Sequence, residues 1–117
     1  MDAREEKIYE LLKKYFGFND FKGQQKEVIL SLLDGKDSFV LMPTGGGKSI
    51  CFQVPAMARE GICLVVSPLI ALMKDQVQNL GSKGIKALAV YSGMTYSQID
   101  AALDNAIYGD YKFLYVS

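Results

Sequence analysis

The sequence predicts an α/β protein, a mostly parallel sheet of short strands with helices packed on its faces. Three observations carry that prediction. Short apolar runs of strand type alternate with segments whose apolar residues recur at helical spacing, the pattern of βαβ units. Between one such run and one such segment lies Met42-Pro43-Thr44-Gly45-Gly46-Gly47-Lys48-Ser49, three glycines closed by Lys-Ser. Half of the 117 residues are apolar, enough in one chain of this length to bury one core.

The first helix begins at Asp2, which with Glu5 three residues on forms a capping box. Ile8, Leu11, Leu12 and Tyr15 share a helical face, Lys13 and Lys14 suit the carboxyl end of the dipole, and Gly17 ends the element. A second helix is expected from about Gln24 to Leu33, with Gln25, Val28, Ile29 and Leu32 on one face and Asp34-Gly35 as its stop. Asp37 to Met42 is the first strand. A helix starts near Lys48, and Pro55 is expected to break or restart it.

Ile62 to Val66 is the second strand, set off by Gly61 and closed by Ser67-Pro68. Leu69, Leu72, Met73, Gln76, Val77 and Leu80 trace the next helix face, which Gly81 and Gly84 end. Ala87 to Val90 is the third strand. Thr95 and Gln98 form a second capping box, opening a helix with Ile99, Ala102, Leu103 and Ala106 inward. Lys112 to Val116 is the fourth strand. The expected organisation is a helical region, 1–35, followed by βα units over 36–117.

The glycine run is a phosphate-binding loop, G-x-x-x-x-G-K-[ST], with Met42 in place of the first glycine. Glycines lacking Cβ let successive N–H groups approach phosphate oxygens. Pro43, Thr44, Gly45, Gly46 and Gly47 form the cradle. Lys48 puts a positive charge on the outer phosphates and is the catalytic candidate, while the Ser49 hydroxyl is placed to ligate Mg²⁺. A helix starting at Lys48 adds the positive end of its dipole. Strand, loop and helix in this order are the confirming context. In open α/β sheets, ligands bind at the carboxyl ends of the strands, where this loop falls.

Other chemistries are excluded by composition. The chain has no histidine, which removes histidine bases and histidine metal sites. Its 13 basic and 13 acidic residues cancel, so contact with nucleic acid has to come from local groups. Cys51 and Cys63 have no metal-ligand spacing and are expected as buried, reduced thiols. No secretory signal or membrane-spanning run is present, so no membrane partner is expected. Hydrolysis of a nucleotide also needs a strand-end acid to hold Mg²⁺ and orient water. The strands here end in Ser67, Tyr91 and Ser117, and the only arginines are Arg4 and Arg59.

Four stretches resemble the RecQ-type DNA helicases, superfamily-two motors built from two RecA-like lobes. Tyr15 to Gln25 is similar to the motif that precedes the family's phosphate loop, and Met42 to Ser49 to its motif I, where the leading residue is commonly not glycine. Ser67 to Val77 resembles motif Ia, and Phe113 to Ser117 the approach to motif Ib. The resemblance spans essentially the whole chain. It implies a P-loop NTPase fold of three layers, left incomplete because the chain stops before the acidic motif II, the aromatic-rich DNA loop and the second lobe.

The resemblance further implies ATP and Mg²⁺ as ligands and DNA as partner. Gln25 would read the adenine edge with its amide, although by its residues alone it is equally a helix residue beside an apolar face. Phe18 falls where the family stacks an aromatic ring on the base. Lys22 falls where the family has arginine, whose planar group stacks as an ammonium cannot. Ser67, Pro68 and Leu69 would grip a DNA phosphate, though Pro68 equally just opens a helix at its first position. Lys74 would add charge, or is equally a solvated lysine. Tyr91-Ser92-Gly93 is a weaker contact on the same sheet edge.

The implied activity is ATP-dependent unwinding of DNA with 3′-to-5′ polarity in repair or recombination, in the bacterial cytoplasm at the nucleoid or in a eukaryotic nucleus. The isolated 117 residues are expected to bind nucleotide weakly and to unwind nothing. Two competing readings are a nucleotide-binding module that does not hydrolyse and a small phosphate-loop phosphotransferase. The second would want a strand-end acid and an arginine-rich lid.

Overall fold

The structure, a computed structural model, describes residues 2–37 and 48–117. They divide into two units, Met1–Glu60 and Gly61–Ser117. The expected strand at 38–42 and the glycine loop from Pro43 to Gly47 lie outside the described residues.

In the first unit, helix α1 (Ala3–Leu11) opens on Asp2, whose Oδ1 accepts the Glu5 N–H at 2.9 Å. Only that half of the expected box acts as a cap. The Glu5 carboxylate instead pairs with Lys26 at 3.1 Å, a charge-assisted contact available only once the helices have packed. The helix is also not α-helical to its end. Leu12–Phe16 forms a π-helical turn, which widens the backbone by a residue, and Gly17 then stops it at φ 75°.

Helix α2 (Gln25–Leu33) ends at Asp34 and Gly35 as expected, and helix α3 spans Lys48–Ala58. Pro55 does not break α3, contrary to the expectation; the helix continues three residues beyond it. Proline removes one backbone bond, but Val54 and Pro55 are both buried, so their packing offsets that loss. Helices α1 and α2 both pack on α3. Ile8, Leu11, Leu12, Ile29 and Val54 form the core there.

The second unit holds strands β1 (Cys63–Val66), β2 (Ala87–Val90) and β3 (Phe113–Val116), all parallel in the order β1-β3-β2. Registers align Val66 with Val116 and Val116 with Val90, so the three strands end level. Helix α4 (Ile70–Ser82) connects β1 to β2, and helix α5 (Tyr96–Tyr108) connects β2 to β3. The two crossovers run in opposite directions along the sheet, and right-handed connection therefore puts α4 and α5 on opposite faces.

Met73 and Leu80 of α4, Ala102 and Ala106 of α5, and Phe113 and Tyr115 of β3 are buried. Of the residues expected on the inner faces of these helices, Leu69, Leu72 and Leu103 are exposed. Helix α5 opens with the expected capping box: Thr95 Oγ1 accepts from the Gln98 N–H at 3.2 Å, and Gln98 Oε1 from the Thr95 N–H at 2.9 Å. Coverage of the sheet is uneven. Helices α4 and α5 pack mainly on β2 and β3, while Leu64 and Val66 of β1 stay 62% and 74% exposed. No described helix is long and apolar enough to cross a membrane.

Candidate functional site

The segment ahead of α2 carries three expected nucleotide-site residues, and its anchoring begins on α1. Phe21 packs its ring edge-on against Tyr9 at 4.9 Å between centroids. Asp20 accepts from its neighbour's N–H, that of Phe21, at 2.9 Å and from the Tyr9 hydroxyl at 3.4 Å. Lys26 of α2 lies over the other partner of that contact, 5.3 Å from the Tyr9 ring centre. These contacts fix the chain at Asp20 and Phe21. Phe18, three residues before Phe21, then stands 46% exposed, and the Lys22 ammonium lies 5.8 Å from its ring centre.

Gln25 is 3% exposed at the first position of α2, and its Oε1 accepts the Lys22 N–H at 2.8 Å. Only the carbonyl end of an amide can accept, so this bond also sets which way the side chain points its NH₂ group. The expected base-stacking residue, its lysine neighbour and the expected base reader thus form one linked group: Phe18 to Lys22 through the ammonium, Lys22 to Gln25 through the backbone. The Lys22 ammonium stays by the Phe18 ring because a cation over an aromatic face is attractive.

Lys48 is the first residue of α3 and is exposed, with Ser49 half-buried beside it. Both belong to the unit that contains Phe18, Lys22 and Gln25. A helix that starts at a Lys-Ser pair brings the positive end of its dipole to that pair, a setting that favours an anion. Pro43, Thr44, Gly45, Gly46 and Gly47 lie outside the described residues.

The second unit holds the other expected contacts. The Ser67 N–H donates to the Val116 carbonyl at 2.9 Å, and its Oγ accepts the Leu69 N–H at 3.3 Å. That hydroxyl therefore closes a local turn, the usual habit of serine after a strand. Pro68 is not the first helical residue, as its sequence position suggests; α4 starts at Ile70 with Leu69 as N-cap in an extended conformation. The Ser67 turn displaces the helix start by two residues. No side chain caps that start, which leaves Leu69 and the first turn of α4 open at the end of β1. Lys74 is exposed, and its ammonium lies 4.7 Å from the Tyr91 ring centre. Sequence spacing gave no hint of that pairing, because the two residues lie on different elements.

The cysteines differ from one another. Cys51 is buried as expected, whereas Cys63 is only half-buried. Burial pushes both thiols above the ordinary range, and for Cys63 the charge of Lys112 partly opposes it. Among the described residues no group of three or more His, Cys, Asp or Glu is gathered to hold a metal ion.

Comparison with known proteins bears on the family of the chain. The chain is 47% identical over 107 residues to the ATP-dependent DNA helicase RecQ of Haemophilus influenzae, covering 92% of this chain and 17% of that protein. It is 44% identical over 111 residues to the probable ATP-dependent DNA helicase RecS of Bacillus subtilis, covering 95% and 22%. To the RecQ helicase of Synechocystis it is 43% identical over 115 residues, covering 98% and 24%. The chain thus spans about a fifth of the length of these relatives. The family profile of the DEAD/DEAH box helicases matches residues 22–116, nearly all of the sequence from Lys22 onward. The chain therefore belongs to the DEAD/DEAH box helicase family, and within it resembles the RecQ proteins.

Proposed function

We propose that this chain is the ATP-binding portion of an ATP-dependent DNA helicase, one that opens duplex DNA with 3′-to-5′ polarity in repair or recombination, in the compartment that holds the DNA. The observation that carries the reading is the start of α3 at Lys48-Ser49 directly after the glycine run. A phosphate loop needs its lysine and serine at a helix start, where N–H groups and dipole converge on the anion.

On this reading Phe18 stacks on the base, Gln25 reads the adenine edge, and Lys22 holds the Phe18 ring. Pro43 to Gly47 wrap the phosphates, Lys48 neutralises them, and Ser49 holds the Mg²⁺ that accompanies ATP. Ser67, Pro68, Leu69 and Lys74 meet DNA phosphates at the uncapped start of α4. Bound ATP supplies the anhydride whose cleavage drives movement along DNA. Among the described residues the strands are followed by Ser67, Tyr91 and Ser117, none a carboxylate, which supports nucleotide binding without hydrolysis by these residues alone.

The test is ATP binding with Mg²⁺, read by displacement of a fluorescent nucleotide. Lys48→Ala is expected to weaken it by about 10-fold or more, the usual cost of losing a hydrogen bond to a charged partner. Unchanged binding in that variant would remove the phosphate-loop assignment and the function built on it.

A further inference from the structure

The level ends of the three strands put Ser67, Ser117 and Tyr91 in a row. Ser67 donates its N–H to Val116 at 2.9 Å, and Ser117 donates to Val90 at 3.3 Å. With neighbouring strands about 4.8 Å apart, the row is roughly 10 Å long. It forms the carboxyl edge of a parallel sheet, the edge on which such sheets bind ligands. At one end of the row is the uncapped start of α4, and at the other is the Tyr91 ring with the Lys74 ammonium 4.7 Å from its centre.

We propose that Tyr91, with Lys74 held over its ring, is a base-stacking platform for single-stranded DNA. The proposal rests on the reading that this sheet edge meets DNA and names how one base is held there. Stacking is sequence-tolerant, because every base has a π-face, and it works best on a ring that is fixed before the strand arrives. Tyr91 is fixed in that way. Its N–H donates to the Met94 Sδ at 3.4 Å, which ties the turn after β2, and the lysine restrains the ring itself. The residue is half-buried, so its ring keeps a surface for a base.

The other tyrosines of this unit that reach the surface lack this setting. Tyr96 and Tyr108 are 89% and 85% exposed on α5, with no ring partner among the described residues. Tyr111 does have a lysine, Lys86, at 5.5 Å, but both precede their strands and lie at the amino edge of the sheet. That pair, on the same sheet, is an internal control of the same chemistry at the wrong end. Lys74 serves two functions at the carboxyl edge. It orients the ring, and its charge is adjacent to the phosphate of any nucleotide stacked there.

The experiment measures binding of the full chain to a fluorescein-labelled oligo(dT) of roughly 12 nucleotides, a length within the range of single-strand sites. Fluorescence anisotropy is read across a salt series, and thermal melting is followed for each variant. Tyr91→Leu is expected to weaken binding at least about five-fold, while Tyr91→Phe stays within about two-fold of the parent. Lys74→Gln is expected to weaken binding and to reduce the slope of log affinity against log salt by about 0.7, the value for one phosphate on a single strand. Tyr111→Leu leaves binding unchanged. Parent-like affinity in Tyr91→Leu overturns the platform while leaving DNA contact at this edge intact. A loss in Tyr111→Leu as large as in Tyr91→Leu also overturns it, since the effect then belongs to the sheet and not to the edge. If the unaltered chain binds no oligo(dT), both the platform and the DNA reading of this edge fall, whereas the ATP reading is judged separately on Lys48.

Discussion

The Gln25 side-chain oxygen accepts the Lys22 amide proton at 2.8 Å, so the residue expected to read a base also ties down the turn that leads into its own helix. The two functions separate by substitution. Gln25→Ala removes the acceptor from a buried position and is expected to cost about 1–2 kcal/mol, read as a melting point lower by several degrees. Gln25→Glu keeps an acceptor oxygen and gives up the NH₂ donor. It is expected to retain more of the stability than Gln25→Ala while losing preference for ATP over GTP. Equal nucleotide preference in Gln25→Glu and the parent would confine Gln25 to holding that turn.

Glu5 and Lys26 join α1 to α2, and their pairing predicts a pH dependence. The hydrogen bond that Lys26 donates to the Glu5 carboxylate, with that group's charge, holds the ammonium above its ordinary value of 10.5, although desolvation pulls the other way. A raised folded-state pKa means that the folded protein binds this proton more tightly than the unfolded chain. The contribution is therefore complete below about pH 10.5 and is lost as pH rises through the higher folded value. Lys26→Met is expected to flatten the alkaline fall of the melting temperature. The difference from the parent should shrink in high salt, since the pair is partly exposed.

Gly109, which follows α5, is needed for space and not for an unusual backbone, since its φ is −89°. A Cβ there would lie 2.5 Å from the Asn105 carbonyl oxygen and 2.9 Å from the Tyr111 ring. The same carbonyl accepts the Gly109 N–H at 2.7 Å, which keeps the backbone from moving away. Gly109→Ala is expected to destabilise by about 1–3 kcal/mol, as overpacking does. Denaturant midpoints at unchanged slope would measure it.

The two thiols are expected to react in a fixed order. Cys63 is half-buried and Cys51 is buried, so a disulfide reagent at neutral pH should label Cys63 first. Burial raises the pKa of both, which keeps the thiolate fraction small and both reactions slow. Lys112 opposes that rise at Cys63, so Lys112→Gln should slow the faster phase alone. Cys51→Ser and Cys63→Ser identify the phases.

The sequence by itself determined the parts of this protein that local chemistry controls. The alternation of strands and helices, the stops at Gly17 and Gly35, the Thr95–Gln98 box and the helix start at Lys48 were all legible from residue type and spacing. Each depends on residues within a few positions of one another, where conformational preference and capping act. Tertiary structure decided what depends on distant partners. It carried α3 through Pro55 by burying that turn, and it drew Glu5 from its cap to Lys26. It also brought Lys74 of one element over Tyr91 of another. None of these has a period or a motif, because the free energy that selects them comes from surfaces that meet only after the chain has folded.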